Sequence, residues 1–147
     1  MDAFDFPRAM LKNDTYNMSY SGLKASARRL IEGMSEEDKA SKVQDLCASY
    51  QQAIVDVLMD RTSRAAKNES ISRVVVTGGV SANSALRQQS QAWADKNGIE
   101  LLIPPLRFCT DNAAMIGLAG IQRLNRGEVS GQSLGPSPRP LPEDFRF

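Results

Sequence analysis

The sequence predicts a helix-rich α/β fold, and three observations carry that reading. From Ser35 to Lys67 apolar residues recur at three- and four-residue steps, the period of a helix with one buried face. Val74-Val75-Val76-Thr77 and Ile99-Glu100-Leu101-Leu102-Ile103 are aliphatic or β-branched runs too short for helices. Between them, residues 82–96 return to helical spacing. The second half therefore holds a strand–helix–strand unit, with parallel strands and a right-handed crossover.

In chain order, residues 1–20 are polar and aromatic, with Pro7 and the turn-like Asn13-Asp14. They end in the alternating run Tyr16-Asn17-Met18-Ser19-Tyr20, a loop feeding a short strand. From Ser21 the period becomes helical: Leu23, Ala27, Leu30 and Ile31 share a face, and Gly33 is expected to supply a left-handed stop. Ser35 ahead of Glu36, Glu37 and Asp38 is an N-cap followed by acidic residues where the helix dipole favours them. Ala40, Val43, Leu46, Cys47, Tyr50, Ile54, Val57 and Leu58 then form one stripe, which makes Cys47 a packing residue.

The strand at Val74–Thr77 is apolar on both sides and is expected to be buried on both. Gly78-Gly79 ends it, and the following helix carries Leu86 and Trp93 and closes at Asn97-Gly98. The second strand stops at Pro104-Pro105, and a loop to Thr110 leads to a last helix from Asp111 to Leu124. Glycine inside a helix costs about 1 kcal/mol relative to alanine, so Gly117 and Gly120 imply a neighbouring backbone close by. The tail Ser130–Phe147, with four prolines and no period, reads as an irregular strap.

Composition narrows the chemistry. A chain of 147 residues with 41% hydrophobic and 24% charged residues is long enough for one domain with a real core. There is no histidine, which excludes a Ser/His/Asp triad, a Cys/His dyad and any His metal ligand supplied by this chain. The net charge of +1 creates no global field for nucleic acid or anionic lipid. Cys47 and Cys109 make no CxxC site, the start has no signal-peptide run, and no apolar stretch spans a bilayer. A reducing, cytoplasmic setting without membrane contact is the expectation.

Ligands of open α/β sheets bind outside the carboxyl ends of the strands. Two segments emerge there: Thr77-Gly78-Gly79-Val80-Ser81-Ala82-Asn83 and Cys109-Thr110-Asp111-Asn112. Gly78 and Gly79 leave backbone open to a ligand, and helix-start N–H groups face the same space. Asn83 offers a donor and an acceptor together, which suits a ribose or adenine edge, and reads equally as a helix cap. Asp111 reads as a cap, or as a carboxylate holding a metal ion or phosphate-bound Mg²⁺. With no histidine to activate it, Cys109 is read as structural. Lys24, Arg28 and Arg29, and Arg61, Arg64 and Lys67, are either RNA-phosphate contacts or solvated helix faces.

Phe6-Pro7-Arg8 with Met10, Ser21-Gly22-Leu23-Lys24, Gly78-Gly79-Val80-Ser81-Ala82-Asn83 and Cys109-Thr110-Asp111-Asn112-Ala113-Ala114-Met115-Ile116, in that order, resemble the C-terminal part of the TsaD family. These are tRNA threonylcarbamoyladenosine synthase subunits. The resemblance implies most of the second lobe of an actin-like ATPase (ribonuclease H-like) fold over residues 1–147. It also implies transfer of threonylcarbamoyl from threonylcarbamoyl-AMP to N6 of the adenosine beside the anticodon, in tRNAs reading codons that begin with A. By the same resemblance Asn83 contacts the nucleotide, Gly78 and Gly79 form the turn under the adenosine, and Asp111 binds a divalent metal, iron ahead of zinc or magnesium. ATP or AMP is the related ligand. The implied partners are tRNA and TsaB-like and TsaE-like proteins.

The family's HxxxH segment and first phosphate loop, which belong to the first lobe, are absent. The chain is therefore expected to be a truncated gene, a piece cut from a longer protein or a stand-alone half, and inactive by itself. A non-catalytic docking module of the same machinery is the alternative, and an unrelated doubly wound nucleotide-binding domain is a weaker one. A protease is disfavoured by the lack of HExxH and of an activated nucleophile.

Overall fold

The backbone of the first unit is α2, Glu36–Asn68, whose 33 residues make a rod about 50 Å long. Ser35 caps it, its hydroxyl accepting the Asp38 N–H at 3.1 Å, as the sequence predicts. The computed structural model describes residues 3–8 and 15–135 of the chain. The Asn13-Asp14 turn, Met10 and residues 136–147 of the expected strap lie outside the described residues. The chain divides into two units, Met1–Thr110 and Asp111–Phe147.

Helix α1, Ser21–Glu32, packs beside α2 through a core of Phe6, Leu23 and Ala53, with Phe4, Tyr20, Leu30, Tyr50 and Ile54 around it. Phe6 and Tyr50 meet edge to face with ring centroids 5.4 Å apart. Burial pushes the Tyr20 phenol above its usual range. Arg8 locks the N-terminal segment onto α2. Its Nε and Nη2 reach Asp56 Oδ2 at 3.0 and 2.9 Å, and its Nη1 donates to Phe6 O at 2.9 Å.

Two expectations fail here. Gly33 is not left-handed: it keeps φ −84°, and its N–H goes to Arg29 O and Leu30 O in a tightened last turn. The reversal is made by that turn and the Ser35 cap, so no left-handed residue is required. Residues 16–20 form no strand: Tyr16 and Met18 line a hollow with Thr62 and Ala65 of α2 and Val74, and Tyr20 stands at the N-cap of α1.

Cys47 is also corrected. It is exposed, as is Val43, and it lines an open hollow with Lys24, Ala27 and Ile31 of α1.

The strand–helix–strand unit forms as predicted. β1, Arg73–Val75, pairs in parallel with β2, Glu100–Leu102, and α3, Ser84–Asn97, joins them. Gly98 at φ +66° ends α3 in the left-handed conformation expected of it. Burial on both faces is not observed: Val74 and Leu101 look toward α2 and α3, while Val75 and Leu102 are exposed. The described helices of this unit cover one side of the sheet.

The second unit, taken by itself, contains α4, Ala113–Asn125, none of whose residues is buried. Among the described residues of this unit, a Cβ added at Gly117 or Gly120 would meet no heavy atom within 4 Å, so the close approach expected of these glycines is not seen within it. No second described helix or strand of this unit is available to approach them. No helix among the described residues is long and apolar enough to cross a membrane.

Candidate functional site

Because β1 and β2 are parallel, the segments after both leave from one edge of the sheet. The first is the glycine turn. Gly78 sits at φ +90° and ψ 175°, a backbone region that side-chain-bearing residues avoid, so glycine is required there. Gly79–Ala82 then makes one short 3₁₀ turn, tied back by Ser81, whose N–H and hydroxyl both donate to Gly78 O at 3.0 and 2.6 Å. Gly78 and Gly79 are exposed, and no heavy atom would stand within 4 Å of a Cβ at either. The open backbone expected of this turn is therefore present.

Asn83 follows the turn and caps α3: its Oδ1 accepts the Leu86 N–H at 3.0 Å. Its amide nitrogen donates to Gln51 Oε1 of α2 at 2.8 Å. The capping role is thus real, and a ligand that takes the amide must compete with Gln51.

The second segment, after β2, runs through Pro104 and Pro105 into a short 3₁₀ turn at Leu106–Phe108. Cys109 is 2% exposed, which bears out its structural reading. Its thiol lies 3.4 Å from Pro104 O and 3.5 Å from Pro105 O, and its one proton serves one carbonyl at a time.

Between the two segments stands Arg87, which the sequence reading did not single out. Its Nε donates to Ser81 O at 2.6 Å, and its Nη2 to Pro104 O at 2.9 Å and to Cys109 Sγ at 3.1 Å. The signal was present: Arg87 follows Asn83 by four residues, and helical side chains lean back over the preceding turn. Gln51 had no such signal, since 32 residues separate it from Asn83.

Gly78, Gly79 and Asn83 thus come together in one turn. Asp111 opens the other unit. It is exposed, it does not cap α4, and no hydrogen bond to a described residue occupies its carboxylate. The cap is Asn112, whose Oδ1 accepts the Met115 N–H at 3.0 Å. That removes the capping explanation for Asp111.

One exposed carboxylate does not make a metal centre, and no group of three His, Cys, Asp or Glu side chains that could hold an ion occurs among the described residues. By themselves the described residues do not fit a resident metal ion.

Of the basic residues, Arg61 is corrected: it is 1% exposed and donates to Thr15 O, because residues 15–20 cross α2 there. It is no phosphate contact on a free face. Lys24, Arg28 and Arg29 are exposed, with Arg28 paired to Glu32 at 2.7 Å.

The family described as TsaD, tRNA N6-adenosine threonylcarbamoyltransferase, matches residues 1–118. The chain belongs to the TsaD family. Curated relatives carry the same description: one from Bdellovibrio bacteriovorus is 58% identical over 98% of this chain and 42% of its own length. Relatives from Thermosipho africanus and Streptococcus pneumoniae are 42% and 39% identical over 92% and 93% of the chain. The chain spans about two fifths of the length of these TsaD relatives.

Proposed function

We propose that this chain is the nucleotide-contacting part, the second lobe of an actin-like fold, of an enzyme that transfers threonylcarbamoyl from threonylcarbamoyl-AMP to N6 of an adenosine in tRNA. The observation that carries the reading is the Gly78–Asn83 turn, with Gly78 and Gly79 exposed, at the carboxyl end of a parallel strand in a chain of the TsaD family. In the reaction the adenosine N6 attacks the carbamoyl carbonyl. The bond to the AMP phosphate oxygen breaks with its electron pair leaving on AMP, and the amine loses a proton.

The part assigned to this chain is binding and orientation. Gly78 and Gly79 give the AMP moiety unobstructed backbone, and the Asn83 amide, released from Gln51, reads the nucleoside. The chain has no histidine to take the proton, and a turn whose Gly78 and Gly79 are exposed does not by itself enclose a water-excluding cleft. We therefore read the 147 residues as inactive alone.

Asp111 is the one carboxylate we assign to a metal site whose other ligands come from outside this sequence. Iron is the first choice, with zinc or magnesium as alternatives. TsaB-like and TsaE-like partners and a cytoplasmic location belong to the same reading.

The second reading, a docking module without nucleotide, is favoured by one observation: both polar ends of the Asn83 side chain already have protein partners. Calorimetry with AMP separates the two. Asn83→Ser keeps a capping oxygen but loses the amide, so it should preserve stability and weaken AMP binding about tenfold, the worth of one hydrogen bond of about 1.4 kcal/mol. Absence of AMP binding by the unaltered chain, or equal affinity in the variant, would support docking.

A further inference from the structure

We propose that Arg87 is a positioning residue which makes the glycine turn and the Pro104–Thr110 loop open and close as one body. Its bearing on function rests on the reading of Gly78–Asn83 as the nucleotide turn; the coupling itself stands on the contacts. Ser81 is buried, and its N–H and hydroxyl both close on Gly78 O, so the place of Ser81 O reports the place of the turn. On the other side the loop is knit internally: Phe108 N–H donates to Pro105 O at 2.9 Å, Cys109 N–H to Leu106 O at 3.1 Å, and the buried thiol sits over the proline carbonyls.

Arg87 joins these two closed sets. Its planar fork delivers Nε to Ser81 O while Nη2 serves Pro104 O and Cys109 Sγ. A lysine ammonium is a single point on a flexible stem and does not reproduce that two-sided geometry. Losing the guanidinium also takes a charge-assisted donor from two backbone carbonyls in partly buried surroundings.

The two cysteines provide the assay, because Cys47 is exposed and Cys109 is buried. Alkylation of each thiol by iodoacetamide, located by mass spectrometry, is followed with and without AMP in the full chain, Arg87→Gln and Arg87→Lys. Amide hydrogen exchange is read over residues 79–83 and, as a control, over α1 and α2.

Arg87→Gln should accelerate Cys109 alkylation and exchange at Ser81–Asn83 together, each about tenfold, with Cys47 and the control helices unchanged. AMP should slow Cys109 alkylation in the unaltered chain and no longer do so in Arg87→Gln. Arg87→Lys should show the same loss of coupling, and it decides the matter if the glutamine variant does not fold. Acceleration of one segment without the other, or AMP protection of Cys109 that persists in the variants, would overturn the proposal. If AMP fails to bind the unaltered chain, the nucleotide reading falls, and the joint or separate acceleration of Cys109 and the turn amides still decides the role of Arg87.

Discussion

The two faces of the β1–β2 sheet both carry aliphatic residues, the outer one beside the Arg73–Glu100 ion pair, and they meet opposite fates. On the inner face Val74, Val76 and Leu101 meet Leu58, Met59 and Thr62 of α2 and Leu86, Ser90 and Trp93 of α3, around a residual cavity of about 60 Å³. On the outer face Val75 and Leu102 are 57% and 46% exposed. A β-branched run states what a strand is able to bury. Whether it does so depends on a second surface, which here comes from α2 and α3 on one side.

The largest effect should come from the inner face. Leu86→Ala removes a buried side chain between helix and sheet and should cost about 2–5 kcal/mol in urea unfolding. Changing Val75 or Leu102 to Thr on the outer face should move stability by no more than about 0.5 kcal/mol. A cost approaching that of Leu86→Ala would show that the outer face is covered in solution, and the contrast between the faces would collapse.

The smallest effect lies far from either face, at the first turn of α2. The hydrogen bond and the charge of Lys42, and then the Ser35 hydroxyl, hold the Asp38 carboxyl below the usual carboxylate range. A lowered folded-state pKa contributes stability that is present above the unfolded value and lost as pH falls through the folded one. Asp38→Asn should therefore be slightly less stable than the unaltered chain at neutral pH and equal to it in strong acid, as measured by thermal melts across that range. A difference that persists in acid would remove the charge from the explanation.

Helix boundaries were the most legible part of the fold, because their signals are local. Ser35 with its acidic first turn, Gly98 after α3 and the period of α2 are each read within one or two turns of chain. Gly33 shows the limit: a glycine at a helix end permits a left-handed residue, but the neighbouring Ser35 cap made one unnecessary. Cys47 shows another, since a stripe identifies a face and not how closely the facing helix packs on it.

At the candidate site, Gly78, Gly79 and Asn83 were legible because strand, turn and helix start are contiguous. Gln51 was not, being brought to Asn83 by the packing of α2 against α3. The capping reading of Asp111 could be dropped only once Asn112 was seen to hold the cap.

By itself the sequence determined the helical periods, the parallel strand pair and the family, because these depend on spacing along the chain and on ordered motifs. Tertiary structure decided which apolar faces are closed, that Arg61 is buried, and that Arg87 ties two loops together. Such outcomes depend on which distant surfaces meet, and burial and hydrogen bonding are properties of that meeting, not of either segment alone.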